Sequence, residues 1–191
     1  MKELKLICRD FISNNHYLNY RVIRKNGKNI VAAYKAEKTS IFEKQFGLYV
    51  AKQMREQNWK KPEKGKLIFL ESTFFLPRVD MDCSNYWKSL LDTLTKVGVW
   101  EDDNVVMEKV NRLYYDKENP RIEITIYEAE FLGIFNGDDH YREFVENCCN
   151  KCKKNIDKCT IHKSCLENRL TSSYDLEKNI CLKLKNSVHY P

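Results

Sequence analysis

A chain of 191 residues, 42% hydrophobic and 31% charged, is the size of one domain or of one domain with a small appendage. That composition excludes a disordered polymer, and no apolar run approaches the ~20 residues that a membrane-spanning helix needs. The 33 basic and 27 acidic residues leave a net charge of +6, which is compatible with a polyanionic partner and common without one. The opening stretch MKELKLICRDFISNN has charge inside its apolar run and no small-residue cleavage site, so no signal peptide is expected.

Residues 1–37 read as a mixed, basic start. Asn26-Gly27 is a turn signal that joins two short strands, 20–24 and 30–34. Residues 39–57 read as a helix capped by Thr39 or Ser40, with Phe42, Phe46, Tyr49 and Met54 along one stripe. A basic loop follows, broken by Pro62 and Gly65 and carrying Lys60, Lys61, Lys64 and Lys66. Residues 67–76 form an aromatic and branched strand stopped by Pro77. Residues 85–97 form a helix with Trp87, Leu90, Leu91 and Leu94 on its buried side and Gly98 at its end. Strands are expected at 105–115 and 121–128; in the second, Ile122, Ile124 and Ile126 share a face. Neighbouring strands of this kind can pair antiparallel. Composition shifts near 133–139, which sets an expected domain at 1–132 and an appendage at 141–191.

Carboxylates collect at both ends of the helix at 85–97: Asp80 and Asp82 before it, Glu101, Asp102 and Asp103 after it. A helix of this length spans about 18 Å, so the two groups meet only if the chain turns back beside the helix. Carboxylates from two segments suit Mg²⁺, which takes oxygen ligands, and a lysine nearby suits developing charge on a phosphate. On one helical face Asn85, Lys88 and Asp92 follow each other at spacings of three and four. The plainer alternative is that the aspartates cap the helix and form a turn, and that Lys88 and Asp92 are a surface pair.

The ordered set Asp82, Asn85, Lys88, Asp92 and Leu94, followed by G-V-W-x-D-D at 98–103, resembles the RusA family of Holliday junction resolvases. Flanking elements agree: Pro77-Arg78 ends the strand upstream, and PRIEITI (120–126) lies downstream. The resemblance covers roughly residues 18–129. It implies an α+β fold: a single RusA-like domain with a small mixed or antiparallel sheet packed with two main helices. It further implies a homodimer that uses Mg²⁺ to nick four-way DNA junctions symmetrically, no membrane association, and a cytoplasmic protein of bacterial, phage or prophage origin. By position, Asp82 and Asp103 match metal-binding aspartates, Lys88 matches the catalytic lysine, and Asp102 is the other member of the Asp-Asp pair. The family's first motif usually reads D-x-D-N, and here Ser84 stands where its second aspartate would be. Either the site works with fewer carboxylates, or Asp80 and Asp82 are a shifted pair. A non-catalytic, zinc-stapled junction-binding protein is the alternative. No phosphate-cradling glycine loop or dinucleotide fingerprint supports a small-molecule enzyme.

Of eight cysteines, Cys8, Cys83 and Cys181 stand isolated, while Cys148, Cys149, Cys152, Cys159 and Cys165 fall close together. Without a secretory signal, metal binding is the better reading than disulfides. Cys149, Cys152, Cys159 and Cys165 are the expected structural Zn²⁺ ligands, with Cys148 spare and His162 able to replace Cys159 or Cys165. The tail's Lys151, Lys153, Lys154, Lys158 and Lys163 join Lys60, Lys61, Lys64 and Lys88 as candidate DNA contacts. The appendage is expected to be small, cysteine-rich and helical.

Overall fold

Alternation of apolar residues builds the central sheet in this computed structural model, which describes residues 2–184. The chain divides into two units, Met1–Ala129 and Glu130–Pro191. In the first, β1 (Glu3–Cys8), β4 (Ile68–Leu76), β5 (Val106–Tyr115) and β6 (Arg121–Glu128) form one four-stranded sheet. The hairpin β2 (Leu18–Lys25) and β3 (Lys28–Lys35) forms a separate two-stranded ribbon around the Asn26-Gly27 turn. Helices α1 (Glu37–Glu56) and α2 (Trp87–Val97) complete the unit.

Sheet order is β1-β6-β4-β5, with β4 antiparallel to β6 and parallel to β5. The strands β5 and β6 are therefore consecutive in sequence without being neighbours. A central strand needs apolar side chains on both faces more than an edge strand does, and β4 supplies them, with Phe69 and Phe75 behind Leu70 and Phe74. The parallel pairing of β4 and β5 requires a crossover, and α2 is that crossover. The first strand, Glu3–Cys8, went unread in the sequence because a lysine sits inside its short run; Leu4, Leu6 and Cys8 nevertheless alternate into the core.

One face of the sheet is covered. Leu4, Leu6, Leu70, Phe74, Ile122, Ile124 and Ile126 pack with Phe42, Phe46 and Val50 of α1 and with Leu90 and Leu94 of α2. Burying such side chains stabilises the unit by about 1.5–3 kcal/mol each, which is why the two stripes fix the helices on the sheet. On the other face Glu71 accepts hydrogen bonds from Lys109 (3.0 Å), Asn111 (2.8 Å) and Tyr127 (2.8 Å). Its carboxyl is held down to about 2 by those three donors.

The second unit contains α3 (Asp138–Phe144), a single π turn at Val145–Cys149, α4 (Thr160–Leu166) and a short hairpin, β7 (Tyr174–Asp175) with β8 (Ile180–Cys181). Its core is small: Phe135, Phe144, Cys148, Cys165 and Tyr174. Gly133 is required there, because a Cβ would lie 2.1 Å from the Cys165 carbonyl oxygen. Among the described residues no helix is long and apolar enough to cross a membrane.

Candidate functional site

The helix expected at 85–97 starts differently. Residues Cys83–Tyr86 form a 3₁₀ turn, and the α-helix proper begins at Trp87. Asp82 caps that turn, its carboxylate accepting the Ser84 backbone N–H at 2.9 Å. This bond holds the Asp82 carboxyl below its ordinary value. Asp80 pairs with Arg78 at 3.1 Å. Asp80, Asp82 and Asn85 line an open cleft of about 740 Å³ together with Arg78, His16 and Lys38.

The second carboxylate group reaches the helix through a buried anchor. Gly98 ends α2 with φ of 87°, a left-handed conformation that glycine adopts without Cβ strain. Val99 and Trp100 then turn inward and are almost fully buried. The Trp100 indole N–H donates to Thr95 Oγ1 at 2.6 Å, and the Trp59 indole N–H donates to the Val99 carbonyl at 3.1 Å. The chain so pinned carries Asp102 and Asp103 back along α2, where Lys88 and Asp92 act on Asp103. Partial burial, then Asp102, then Asp92 raise the Asp103 carboxyl above its usual value, and Lys88 lowers it. Burial and Asp103 likewise raise Glu108, at the start of β5, a residue that sequence reasoning missed. Its only sequence signal is its position five residues after the Asp-Asp pair.

Lys88 has its own setting. Its Nζ lies 3.4 Å from Asp92 and 5.5 Å from the Tyr17 ring centroid. The Tyr17 hydroxyl hydrogen-bonds to Asp92 and, at 3.2 Å, to buried Glu43. Lys35 pairs with Glu43, and Lys96 reaches it at 3.4 Å. Burial, reinforced by Asp92, pushes the Tyr17 phenol up to about 12, so it stays a neutral donor. The Ser89 hydroxyl donates to the Ile12 carbonyl at 2.9 Å and ties the segment before Tyr17 to α2. Tyr17 carries no motif signature, and only the fold shows its role.

The structure thus sets the turn at Asp103 against α2, which carries the Lys88–Asp92 pair, and places Asp80 and Asp82 on the cleft at the helix start. It does not gather Asp80, Asp82 and Asp103 into one ligand set: among the described residues no group of three or more His, Cys, Asp or Glu is positioned to hold a metal ion. By donor type alone these carboxylates suit Mg²⁺, which takes oxygen ligands. Lys60, Lys61 and Lys64 are exposed on the loop before β4, with Lys64 3.7 Å from Glu101.

In the second unit Lys151, Lys153 and Lys154 are also exposed. The cysteines sort differently from the order read in the sequence. Cys165 and Cys148 are core residues, 0% and 3% exposed, and Cys181 is not isolated: its backbone N–H donates to the Cys148 sulfur at 3.2 Å. Cys149 is pushed up to about 12, first by burial and then by the neighbouring thiols of Cys148, Cys159, Cys181 and Cys152. A thiol so disfavoured as a free thiolate is not an activated nucleophile. His162 is held below its ordinary value by burial, and its Nε2 lies 2.9 Å from the Tyr141 hydroxyl.

Residues 18–127, more than half of the chain, match the family model described as endodeoxyribonuclease RusA. No curated protein matches the chain.

Proposed function

Because the chain belongs to the RusA endodeoxyribonuclease family, we propose that it resolves four-way DNA junctions by paired, symmetric, Mg²⁺-dependent nicks. The observation that carries this reading is that the turn beginning at Asp103 lies against α2, the helix that carries Lys88, inside the matched residues. Asp82 and Asp103 would hold the metal, with Asp80 and Asp102 beside them. When bound, the ion supplies Lewis acidity at the scissile phosphate.

The chain's own groups do the rest. Lys88, an exposed ammonium steadied by Asp92 and Tyr17, stabilises the extra negative charge that grows on the phosphate as it is attacked. Asn85 lines the cleft and would support its local geometry. Lys60, Lys61 and Lys64 contact phosphates of the DNA arms, and Lys151, Lys153 and Lys154 add contacts from the second unit, all without sequence preference.

A junction offers two related scissile phosphates, so a two-fold dimer presents one site to each. The hairpin β2–β3 supports such a homodimer. It exposes Tyr20 (67%), Val22 (67%) and Val31 (70%), a set of apolar side chains that a monomer gains nothing by showing to water.

The test is nicking of a synthetic four-way junction against a linear duplex of the same sequence. Wild type is expected to cut the junction symmetrically in Mg²⁺, and Asp82→Asn and Asp103→Asn to bind it without cutting. Tight binding by wild type without cuts, in Mg²⁺ or Mn²⁺, would overturn the reading in favour of a non-catalytic junction-binding protein.

A further inference from the structure

The second unit has few apolar residues to hold it. Its core is five buried side chains, Phe135, Phe144, Cys148, Cys165 and Tyr174. Units this small generally need a staple, either disulfides or a metal. Among the described residues no two cysteines form a disulfide.

Six thiols lie in this unit, and burial separates them into two sets. Cys148 and Cys165 belong to the apolar core. Cys149, Cys152, Cys159 and Cys181 are half-buried and line one small cavity of about 20 Å³, whose lining also includes His162 and buried Cys148 but not Cys165. A volume of that order holds a single water or ion. The four come from four local devices. Cys149 ends the π turn. Cys152 closes a tight turn by donating its backbone N–H to the Cys149 carbonyl at 3.1 Å. Cys159 is the N-cap residue of α4, its own N–H donating to the Ile156 carbonyl at 3.1 Å. Cys181 lies on β8 and is anchored through the Cys148 sulfur.

We propose that Cys149, Cys152, Cys159 and Cys181 bind one structural Zn²⁺ in this cavity, and that Cys165 is a core residue with no part in ligation. As placed, no three of these sulfurs are close enough together to ligate. Each swings on a single torsion, χ1, among staggered wells, and ligation selects the wells that point into the cavity. Four thiolates around Zn²⁺ make a closed tetrahedral site with net negative charge. Lys151, Lys153, Lys154 and Lys158 surround the cysteines in sequence and are exposed, and Lys154 also lines the cavity, so cationic charge offsets the thiolates. The ion ties the π turn, α4 and the β7–β8 hairpin to one another, and its binding energy becomes folding energy for the unit. None of this rests on the nuclease reading.

The full chain, purified from zinc-supplemented culture, is weighed by native mass spectrometry, and zinc release on thiol modification is measured alongside. Wild type, Cys148→Ala, Cys165→Ala and His162→Gln are each expected to carry one zinc per chain. Cys149→Ser, Cys152→Ser, Cys159→Ser and Cys181→Ser are expected to lose it. Cys181→His is expected to regain it, and the Co²⁺-substituted protein to show a tetrahedral spectrum that changes between wild type and this variant. Zinc that survives Cys181→Ser overturns the assignment. So does zinc lost from Cys165→Ala or His162→Gln in a chain that resists proteolysis like wild type. Wild-type protein isolated without zinc, or with these cysteines paired as disulfides, overturns it entirely. Junction cleavage is read separately on the same samples, so failure here leaves the nuclease proposal standing, and the reverse holds.

Discussion

The Tyr17 hydroxyl hydrogen-bonds to the Asp92 carboxylate, joining the segment before the β2–β3 hairpin to the helix that carries Lys88. Asp92 in turn holds Lys88 at 3.4 Å, and the Tyr17 ring faces the same ammonium. On the proposed role of Lys88, Tyr17 acts through it as a positioning residue. Tyr17→Phe keeps the ring and removes the bond, at a stability cost of about 1 kcal/mol. Its cleavage rate is expected to fall about 10–100-fold, since small displacements of a catalytic group are costly, while junction affinity stays as in wild type. A purely structural Tyr17 would lower the melting temperature and leave kcat where it was.

Ser84 donates its backbone N–H to Asp82 and exposes its side chain next to the cleft residues. Ser84→Asp adds a carboxylate two residues after Asp82, beside the cleft that Asp80, Asp82 and Asn85 line. The Mg²⁺ concentration for half-maximal cleavage is expected to drop several-fold, read from a metal titration of the nicking rate. An unchanged titration would place Ser84 outside the metal's reach.

Glu71 is held down to about 2 by Asn111, Tyr127 and Lys109, against an ordinary value of 4.5. A depressed carboxyl contributes stability that is complete above 4.5 and is lost as pH falls from there towards 2. Glu71→Gln is expected to cost about 1–3 kcal/mol at neutral pH and to flatten the loss of stability in that acidic window. Urea unfolding from pH 2.5 to 6 compares the two slopes.

The Ser72 side chain is 0% exposed, and its hydroxyl has no hydrogen-bond partner among the described residues. It faces Ile124 across the β4–β6 ladder. Ser72→Ala removes an unpaired buried polar group from this layer, so it is expected to stabilise the fold by about 1 kcal/mol. A fall in the urea midpoint would show that the hydroxyl has a partner after all.

Much of the first unit was legible in the sequence because its elements obey simple periods. The Ile122, Ile124 and Ile126 alternation marked β6, the Asn-Gly turn marked the hairpin, and the Leu90, Leu91 and Leu94 stripe marked α2. Pairing was less legible. Periodicity says which face a strand buries and nothing about its neighbours, so the separation of β5 and β6 by β4 came only from the fold. The placement of Asp103 beside α2 follows a segment that the Trp59 indole holds through the Val99 carbonyl, a long-range contact that spacing does not encode. Tyr17 was missed because it meets Asp92 from a distant segment, and Cys181 likewise reaches Cys148 from 33 residues away. Cys165, close in sequence to the other cysteines, lies in the small core and not on the cavity that Cys149, Cys152, Cys159 and Cys181 line.

The crowding of Asp102, Asp92 and Glu108 around Asp103 has a cost in the resting protein. Like charges held together by a rigid anchor repel each other for as long as the chain stays folded, and unfolding lets them separate. Neutralising one of them is expected to make the molecule harder to melt: Asp103→Asn should unfold at a higher temperature than wild type in low salt, with the gap narrowing as salt or Mg²⁺ is added. If Asp103 serves cleavage as proposed, the variant that best resists heat is one that no longer cuts, and thermal resilience and catalysis pull this position in opposite directions.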